Sequence, residues 1–244
     1  MPPTLQVFPD RIASPNRFGH DAGRLDSSIN VSEKFAVQIQ DLIETGRDFH
    51  RRGWSLGTSS NYSVVTGRAP LQLLLTGSGF DKGRLTLGQF VLVDEQGKLV
   101  EKSGAKPSAE TLLHVVLARA ADAGAVLHTH SVAGTLLSEA HSPAGHLEIS
   151  GYEMLKGLSG INTHETCLRL EIFPNTQDIP DLARRVESRL RDATNPLRHA
   201  FLIAGHGLYT WGKDLAEARR HIEVLEFLFE VVARKKLIFP PSSS

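Results

Sequence analysis

Cysteine is almost absent from this sequence: Cys167 is the single one in 244 residues. One cysteine cannot form a disulfide within the chain, which fits a reducing compartment. The usual structural zinc site needs several thiolates, so that kind of site is excluded. Any metal bound by this chain must be held by histidine, aspartate or glutamate.

An excess of charge of either sign is also lacking, since 27 Lys and Arg balance 27 Asp and Glu. Nucleic-acid-binding domains carry a basic excess on one face, so this balance predicts no nucleic-acid partner. A small anionic ligand remains compatible with it, because such a ligand needs only local charge or free backbone N–H groups.

Long apolar stretches are missing as well. No run approaches the roughly 18 consecutive apolar residues of a membrane-spanning helix. The N-terminal sequence, MPPTLQVFPDRIASPNRFGHD, lacks the basic start and apolar run of a secretory signal. We therefore expect no membrane partner and a cytoplasmic location.

Both terminal segments lack sustained hydrophobic periodicity. Residues 1–30 are rich in Pro, Gly, Ser and Asn, and they are predicted to be either a disordered tail or an arm that covers a neighbouring subunit. Residues 239–244 are predicted to be a short frayed tail. The segment between them, 31–238, is predicted to be one catalytic domain.

Within residues 31–238, helices are interspersed with strands, several of them at hairpin spacing. Periodic apolar stripes predict helices over 33–51, 108–121, 132–139, 179–192 and 215–237. Short apolar or β-branched runs predict strands over 71–76, 90–93, 98–101, 125–130, 168–172, 200–204 and 208–211. This order predicts an α/β fold, and one α/β/α-layered domain fits it better than a doubly wound parallel sheet.

His128 and His130 stand two positions apart at the end of the predicted strand 125–130. Residues i and i+2 of a strand point to the same side, so their two imidazoles can bind one cation. His206 ends another predicted strand and lies between two glycines that allow a ligand to approach. Three protein ligands with an open position are typical of catalytic zinc. The alternative is that these are ordinary polar residues at strand ends.

Three stretches rich in Gly, Ser and Thr are candidates for an anion site: 57–61 (GTSSN), 76–79 (TGSG) and 106–109 (KPSA). Hydroxyls and free backbone N–H groups of such stretches form concave anion sites. The third stretch opens a predicted helix, whose N-terminal N–H groups and dipole favour a phosphate. The alternative is three ordinary turns, one of them with a helix N-cap.

Two carboxylates accompany these features. Glu110 falls in the first predicted turn of helix 108–121, where a negative charge also complements the helix dipole. His114, four residues further along, is placed to buttress it. Glu153 begins a short amphipathic stretch, GYEMLKG, in which Lys156 faces either an anionic group or solvent. Spacing alone does not separate an acid/base role from a solvated position for either carboxylate.

An ordered set of motifs resembles the class II aldolase family over residues 31–237. The set comprises GTSSN, TGSG, KPSAET, AGAVLHTHS, GYEMLKG, IPDL, GHGLYTWG and EFLFE. The resemblance implies an α/β/α fold with a central, largely antiparallel sheet. It also implies a homotetramer whose active sites lie near subunit contacts.

By this resemblance, His128, His130 and His206 take the places of the zinc ligands. Glu153 takes the place of a dehydratase acid/base, and Glu110 that of a carboxylate that serves aldolases as base and as metal ligand in the apo state. Lys156 is an added candidate for binding an anionic group of the substrate. The residues in the phosphate-binding places are Thr58, Ser59, Asn61, Ser78, Gly79 and Ser108.

Two positions depart from the family pattern. Ser60 stands where the family loop usually has glycine, so we expect a differently shaped turn there. Ala109 replaces a second serine of some aldolases, which removes one hydroxyl from phosphate binding. Neither change touches the three histidines.

GYEMLKG and HGLYTWGK are similar to the branch of the family that dehydrates a methylthiopentulose phosphate in methionine salvage. The resemblance therefore implies a hydro-lyase with one Zn²⁺ per subunit and a small sugar phosphate as substrate. One alternative is a sugar-phosphate aldolase or pentulose-phosphate 4-epimerase on the same scaffold. Another is a non-catalytic adaptor that keeps the fold for protein binding.

Overall fold

The computed structural model describes residues 31–238. The predicted N-terminal arm, 1–30, and the predicted C-terminal tail, 239–244, lie outside the described residues. The helices are α1 Val31–Lys34, α2 Ala36–Arg51, α3 Thr111–Ala120, α4 Val132–His141, α5 Ile179–Leu190 and α6 Leu215–Ile238. The strands are β1 Asn61–Arg68, β2 Leu71–Thr76, β3 Phe90–Asp94, β4 Ala125–Thr129, β5 His146–Ile149, β6 Leu168–Phe173, β7 Ala200–Ile203 and β8 Gly207–Gly212.

The strands of the described range form one mixed sheet in the order β3-β2-β1-β4-β8-β7-β6-β5. Neighbouring strands are antiparallel, apart from β6 and β7, which run parallel. The prediction of an α/β fold with a central, largely antiparallel sheet is therefore confirmed.

Helices cover both faces of this sheet. On one face α2, α4 and α6 pack over a core that includes Leu127 of β4. On the other face α3 and α5 pack together over a core that includes Val126 of β4 and Leu182 of α5. Because alternate strand residues point to opposite faces, His128 lies on the α3 and α5 side, and Thr129 lies on the α6 side.

Helix α6 spans 24 residues and carries charged side chains along its length. Within residues 31–238, no helix is both long and apolar enough to cross a lipid bilayer.

Two predicted helix starts differ from the structure. The first helical segment begins at Val31 and is interrupted at Phe35, where φ is −120° and ψ is 29°. The helix predicted from residue 108 begins at Thr111. The Ser108 hydroxyl accepts a hydrogen bond of 3.2 Å from the Glu110 amide and closes a turn before the helix. Glu110 therefore precedes the helix and does not lie in its first turn.

The predicted strand 98–101 is wrong, since Leu99 forms only an isolated bridge with Val93. The Asp94 carboxylate accepts hydrogen bonds of 2.9 Å from the amides of Gln96 and Lys98. Such side chain–backbone bonds compete with a strand ladder and favour a turn. Strands β1 and β5 are not among the predicted strands; β5 pairs with β6 at the edge of the sheet.

Candidate metal centre

One edge of the sheet collects the chain segments that carry the predicted site. β4, β7 and β6 run in the same direction, so their C-terminal ends lie along this edge. β1 is antiparallel to β4, and its first residue, Asn61, pairs with His128. The end of β2 lies beside the start of β1. The topology therefore explains how residues far apart in the sequence meet.

The three predicted histidines converge at this edge. Nε2 of His128 lies 2.7 Å from Nε2 of His130 and 3.3 Å from Nε2 of His206. Their ligand atoms all lie within 4.8 Å of one another, close enough to hold one metal ion. His128 belongs to β4, His130 follows its end, and His206 lies in the turn between β7 and β8.

The glycines beside His206 permit this convergence. A Cβ atom added at Gly207 would lie 2.1 Å from the carbonyl oxygen of Thr129 and 3.1 Å from Cε1 of His128. Gly205 has a φ of 60°, in the left-handed region that favours glycine. The two glycines thus allow the turn carrying His206 to approach β4 closely.

Hydrogen bonding fixes the tautomer of His128. Its Nδ1 lies 2.9 Å from the carbonyl oxygen of Leu208. A carbonyl can only accept, so Nδ1 carries the proton and Nε2 presents a lone pair to the centre. Burial, followed by the neighbouring His206, holds the pKa of His128 well below its usual value. Burial and the neighbouring imidazoles lower the pKa of His130 to about 3.

Imidazole nitrogens that converge in this way suit a divalent cation. Zinc, iron, cobalt and manganese all accept imidazole ligands. The residues present therefore fit a metal of this class.

Glu110 lies against the same histidines. Its Oε1 is 3.4 Å from Nε2 of His206, and its Oε2 is 3.6 Å from Nε2 of His128. Asn61 donates a hydrogen bond of 2.8 Å to Glu110 Oε2. Nε2 of His114 bonds in turn to the side-chain oxygen Oδ1 of Asn61, and Nδ1 of His114 lies 2.7 Å from the Ser63 hydroxyl. His114 therefore buttresses Glu110 through Asn61 and does not contact it directly.

This chain of contacts defines the protonation of His114. The side-chain oxygen of Asn61 can only accept a hydrogen bond, so Nε2 of His114 carries the proton and donates it. Nδ1 of His114 is then unprotonated and accepts a hydrogen bond from the Ser63 hydroxyl. Burial lowers the pKa of His114 to about 4, which keeps the ring neutral.

The Tyr209 ring stacks on His128 with centroids 4.0 Å apart. The His114 ring, through Asn61, restricts the position of Glu110, and the Tyr209 ring restricts that of His128.

A cavity of about 280 Å³ opens beside His130, His206 and Glu110. All three Gly/Ser/Thr-rich stretches line it. The predicted phosphate residues among its lining are Thr58, Ser59, Asn61, Ser78, Gly79 and Ser108. The loop after β6 adds Thr176 and Gln177, which sequence reasoning missed. Their only sequence signal is the nearby IPDL motif, because the PNTQD segment itself has an ordinary turn composition.

Ser60, the departure from the family loop, has a φ of 70°. This is the left-handed region that glycine adopts without strain. The serine thus takes a backbone conformation that favours glycine, and the differently shaped turn stays a prediction.

The structure places Glu153 and Lys156 apart from the three histidines. Both belong to the 3₁₀ turn Glu153–Gly157, which packs against α6 on the opposite face of the sheet. Glu153 is 70% exposed and pairs with Lys156 at 2.5 Å and with His164 at 3.0 Å. The hydrogen bond from Lys156 lowers the pKa of Glu153, so its carboxylate is ionised. Neither residue is among the described residues that line the cavity.

Comparison with known proteins gives close relatives over most of the chain. The methylthioribulose-1-phosphate dehydratase of Marinobacter nauticus is 48% identical over 200 residues, which cover 81% of this chain and 93% of the relative. The protein of the same name from Methylococcus capsulatus is 47% identical over 202 residues, which cover 82% and 95%.

Among solved structures, an L-fuculose 1-phosphate aldolase matches with a TM-score of 0.68 and 21% identity, covering 85% of this chain and 91% of the other. Identity at that level shows a shared fold alone. A family model described as Class II Aldolase and Adducin N-terminal domain matches residues 40–233. With the relatives above, this match confirms the predicted resemblance: the chain belongs to the class II aldolase family.

Proposed function

We propose that this chain is a zinc-dependent hydro-lyase that converts 5-methylthioribulose 1-phosphate into 2,3-diketo-5-methylthiopentyl 1-phosphate, a step of methionine salvage. The observation that carries the proposal is the convergence of His128, His130 and His206 beside a cavity lined by Gly, Ser and Thr. Relatives that bear the dehydratase name are 47% and 48% identical to this chain. We assign the activity to residues 31–238 and expect the enzyme in the cytoplasm.

We assign the metal to the three Nε2 atoms. Zinc bound there supplies a Lewis acid for the carbonyl oxygen of the substrate. His128 is already in the tautomer that a metal ligand needs, because its Nδ1 proton is held by the Leu208 carbonyl. Depressed imidazole pKa values favour the neutral, metal-binding form of the rings.

We assign the phosphate of the substrate to the Gly/Ser/Thr-lined cavity. The hydroxyls of Thr58, Ser78 and Ser108 are donors that suit its oxygens. Anchoring C1 in this way places the neighbouring carbons toward the histidines. Such positioning makes proton transfer at C3 and C4 an effectively intramolecular step.

Dehydration needs a base that removes the C3 proton and an acid that protonates the C4 hydroxyl, which then leaves as water. A single ionised carboxylate performs both transfers, first as base and then as acid, and the resulting enol tautomerises to the diketone. We assign this role to Glu153, whose carboxylate is ionised beside Lys156.

The placement of Glu153 on the far face of the sheet has a consequence for assembly. Its turn packs on α6, whereas His128 lies on the side of α3 and α5, the side of Val126. Glu153 therefore acts on the centre of a neighbouring subunit in this proposal. A homotetramer with active sites at subunit contacts provides that arrangement.

Glu110 is the second candidate for the acid/base role. Its oxygens lie 3.4 and 3.6 Å from imidazole nitrogens of the centre. This position favours a role in holding the histidines before a metal binds. Replacement of each carboxylate by its amide separates the two assignments.

The proposal is tested by incubating the purified protein with 5-methylthioribulose 1-phosphate, with and without a chelator. We expect a diketone product that disappears on chelation and returns when zinc is added back. An aldehyde product would indicate an aldolase, and an epimer would indicate a 4-epimerase. No turnover of any of these sugar phosphates by the zinc-loaded protein would favour the adaptor alternative.

A further inference from the structure

Among the described residues that line the cavity beside the histidines, none is Lys or Arg, and Glu110 is an acidic residue. A phosphate ester carries about two negative charges near neutral pH. Hydroxyls and amides alone leave most of that charge without a counter-charge in the wall of the cavity.

Lys82 lies directly behind this wall. It is 1% exposed, and its ammonium group donates hydrogen bonds to the carbonyl oxygens of Phe80 at 2.7 Å and of Thr58 at 3.4 Å. Thr58 lines the cavity, and Phe80 directly follows Gly79, which lines it as well. One ammonium group thus joins two of the three Gly/Ser/Thr-rich stretches from their inner side.

Within residues 31–238, no carboxylate forms an ion pair with Lys82, and Asp81 acts on it only at longer range. The Asp81 carboxylate accepts from the Gly83 amide at 2.8 Å and lies 3.4 Å from His50. Burial lowers the pKa of Lys82 to about 8, so the side chain stays mainly cationic near pH 7.

Two hydrogen bonds hold the ammonium group of Lys82 beside the cavity. The backbone of Lys82 is also held in place, because Gly46 of α2 packs on it so closely that an added Cβ would lie 2.3 Å from the Lys82 carbonyl oxygen. The cation therefore occupies a defined position next to the cavity.

We propose that Lys82 is the counter-charge for the phosphate group of the substrate and acts through the two loops whose carbonyl oxygens it binds. The inference rests on the proposed function only in taking the bound anion to be the substrate's phosphate. A buried cation near a dianion in a medium of low dielectric is worth much more than an exposed one. The two carbonyl bonds orient the loops so that their hydroxyls and amides face the anion.

The test compares two tetrahedral anions that differ in charge, sulfate and perchlorate. Their affinities for the zinc-loaded protein are measured by titration calorimetry for the wild type and for Lys82→Met. Because a Coulomb energy scales with the charge of the ligand, we expect perchlorate to lose about fivefold in affinity and sulfate about twenty-five-fold. Lys82→Arg keeps the charge and should stay close to the wild type. Lys102→Met removes an exposed lysine and should leave both affinities unchanged.

Equal losses for the two anions would overturn the inference, because a purely structural role of Lys82 weakens both alike. Unchanged affinities in Lys82→Met would overturn it too. If Lys82→Met does not fold, Lys82→Gln removes the charge but keeps a donor, and it carries the same comparison. The dehydration assay is read separately. A sulfate-selective loss without any diketone formation contradicts the proposed substrate and leaves the role of Lys82 standing.

Discussion

Thr129, the residue between His128 and His130, donates a hydrogen bond of 2.8 Å to Oε1 of Glu226 on α6. Glu226 is 1% exposed, and its Oε2 has no hydrogen-bond partner within the described part of the chain. Burial raises the pKa of this carboxyl group from 4.5 to about 7. The strand that contains His128 and is followed by His130 therefore packs against a buried acid.

This acid makes stability depend on pH in a defined direction. Between pH 4.5 and about 7 the folded state keeps a proton on Glu226 that the unfolded chain has lost. The free energy of unfolding therefore falls as pH rises through this range, by up to about 3 kcal/mol from this group. Glu226→Gln cannot ionise, so its stability relative to the wild type should be higher at pH 8 than at pH 5.

Urea unfolding of both proteins at the two pH values measures this difference. Histidines that titrate in the same range are common to both proteins, so their contribution cancels. An identical difference in stability at pH 5 and pH 8 would show that Glu226 does not ionise in this range.

Gly207 and Gly205 flank the same histidine, but a side chain at the two positions has different consequences. Gly207→Ala places a methyl group 2.1 Å from the Thr129 carbonyl oxygen and must push His206 away from β4. Gly205→Ala meets no atom within 4 Å, and its left-handed backbone costs about 1–2 kcal/mol. We expect Gly207→Ala to lose bound zinc and Gly205→Ala to retain it. Elemental analysis of folded protein tests this, and equal zinc contents in the two variants would contradict it.

Mixing of subunits tests whether Glu153 serves a neighbouring centre. Glu153→Gln and His206→Ala are each expected to be inactive as homo-oligomers. In oligomers formed from equal amounts of both, random assembly gives about one quarter of the centres an intact histidine set and an intact neighbouring Glu153. We therefore expect activity near that fraction of the wild-type value.

The matched control mixes His128→Ala with His206→Ala. Both changes damage the same centre, so no combination of subunits restores three histidines. Activity in the first mixture no greater than in this control would mean that Glu153 acts within its own chain or not at all.

The histidine set could be predicted from the sequence because its geometry is local. Two residues of a strand separated by one position share a face. The glycines around His206 indicate that another group can approach this residue closely. The convergence of β4 with the turn after β7 depends on contacts between distant residues. It could still be predicted, because the order of motifs resembles that of a known family. Likewise, the three phosphate stretches were recognisable from composition and family motifs.

Other parts of the site depend on contacts that no local pattern reveals. Lys82 meets the Thr58 carbonyl across 24 positions of sequence, and a lysine among charged neighbours looks like a surface residue. Thr176 reaches the cavity because β6 runs parallel to β7, which brings the ends of both strands to one edge. The missed strand β5 is short and lies at the sheet edge, where alternation is weakest as a signal.

The zinc content of the protein tests the central claim most directly. Elemental analysis is made on the wild type and on the variants His128→Ala, His130→Ala and His206→Ala, each shown to be folded. We expect about one zinc ion per wild-type chain and strongly reduced zinc in every variant, because a catalytic site has only three protein ligands. A full equivalent of zinc in folded His206→Ala would contradict a centre built from these three side chains.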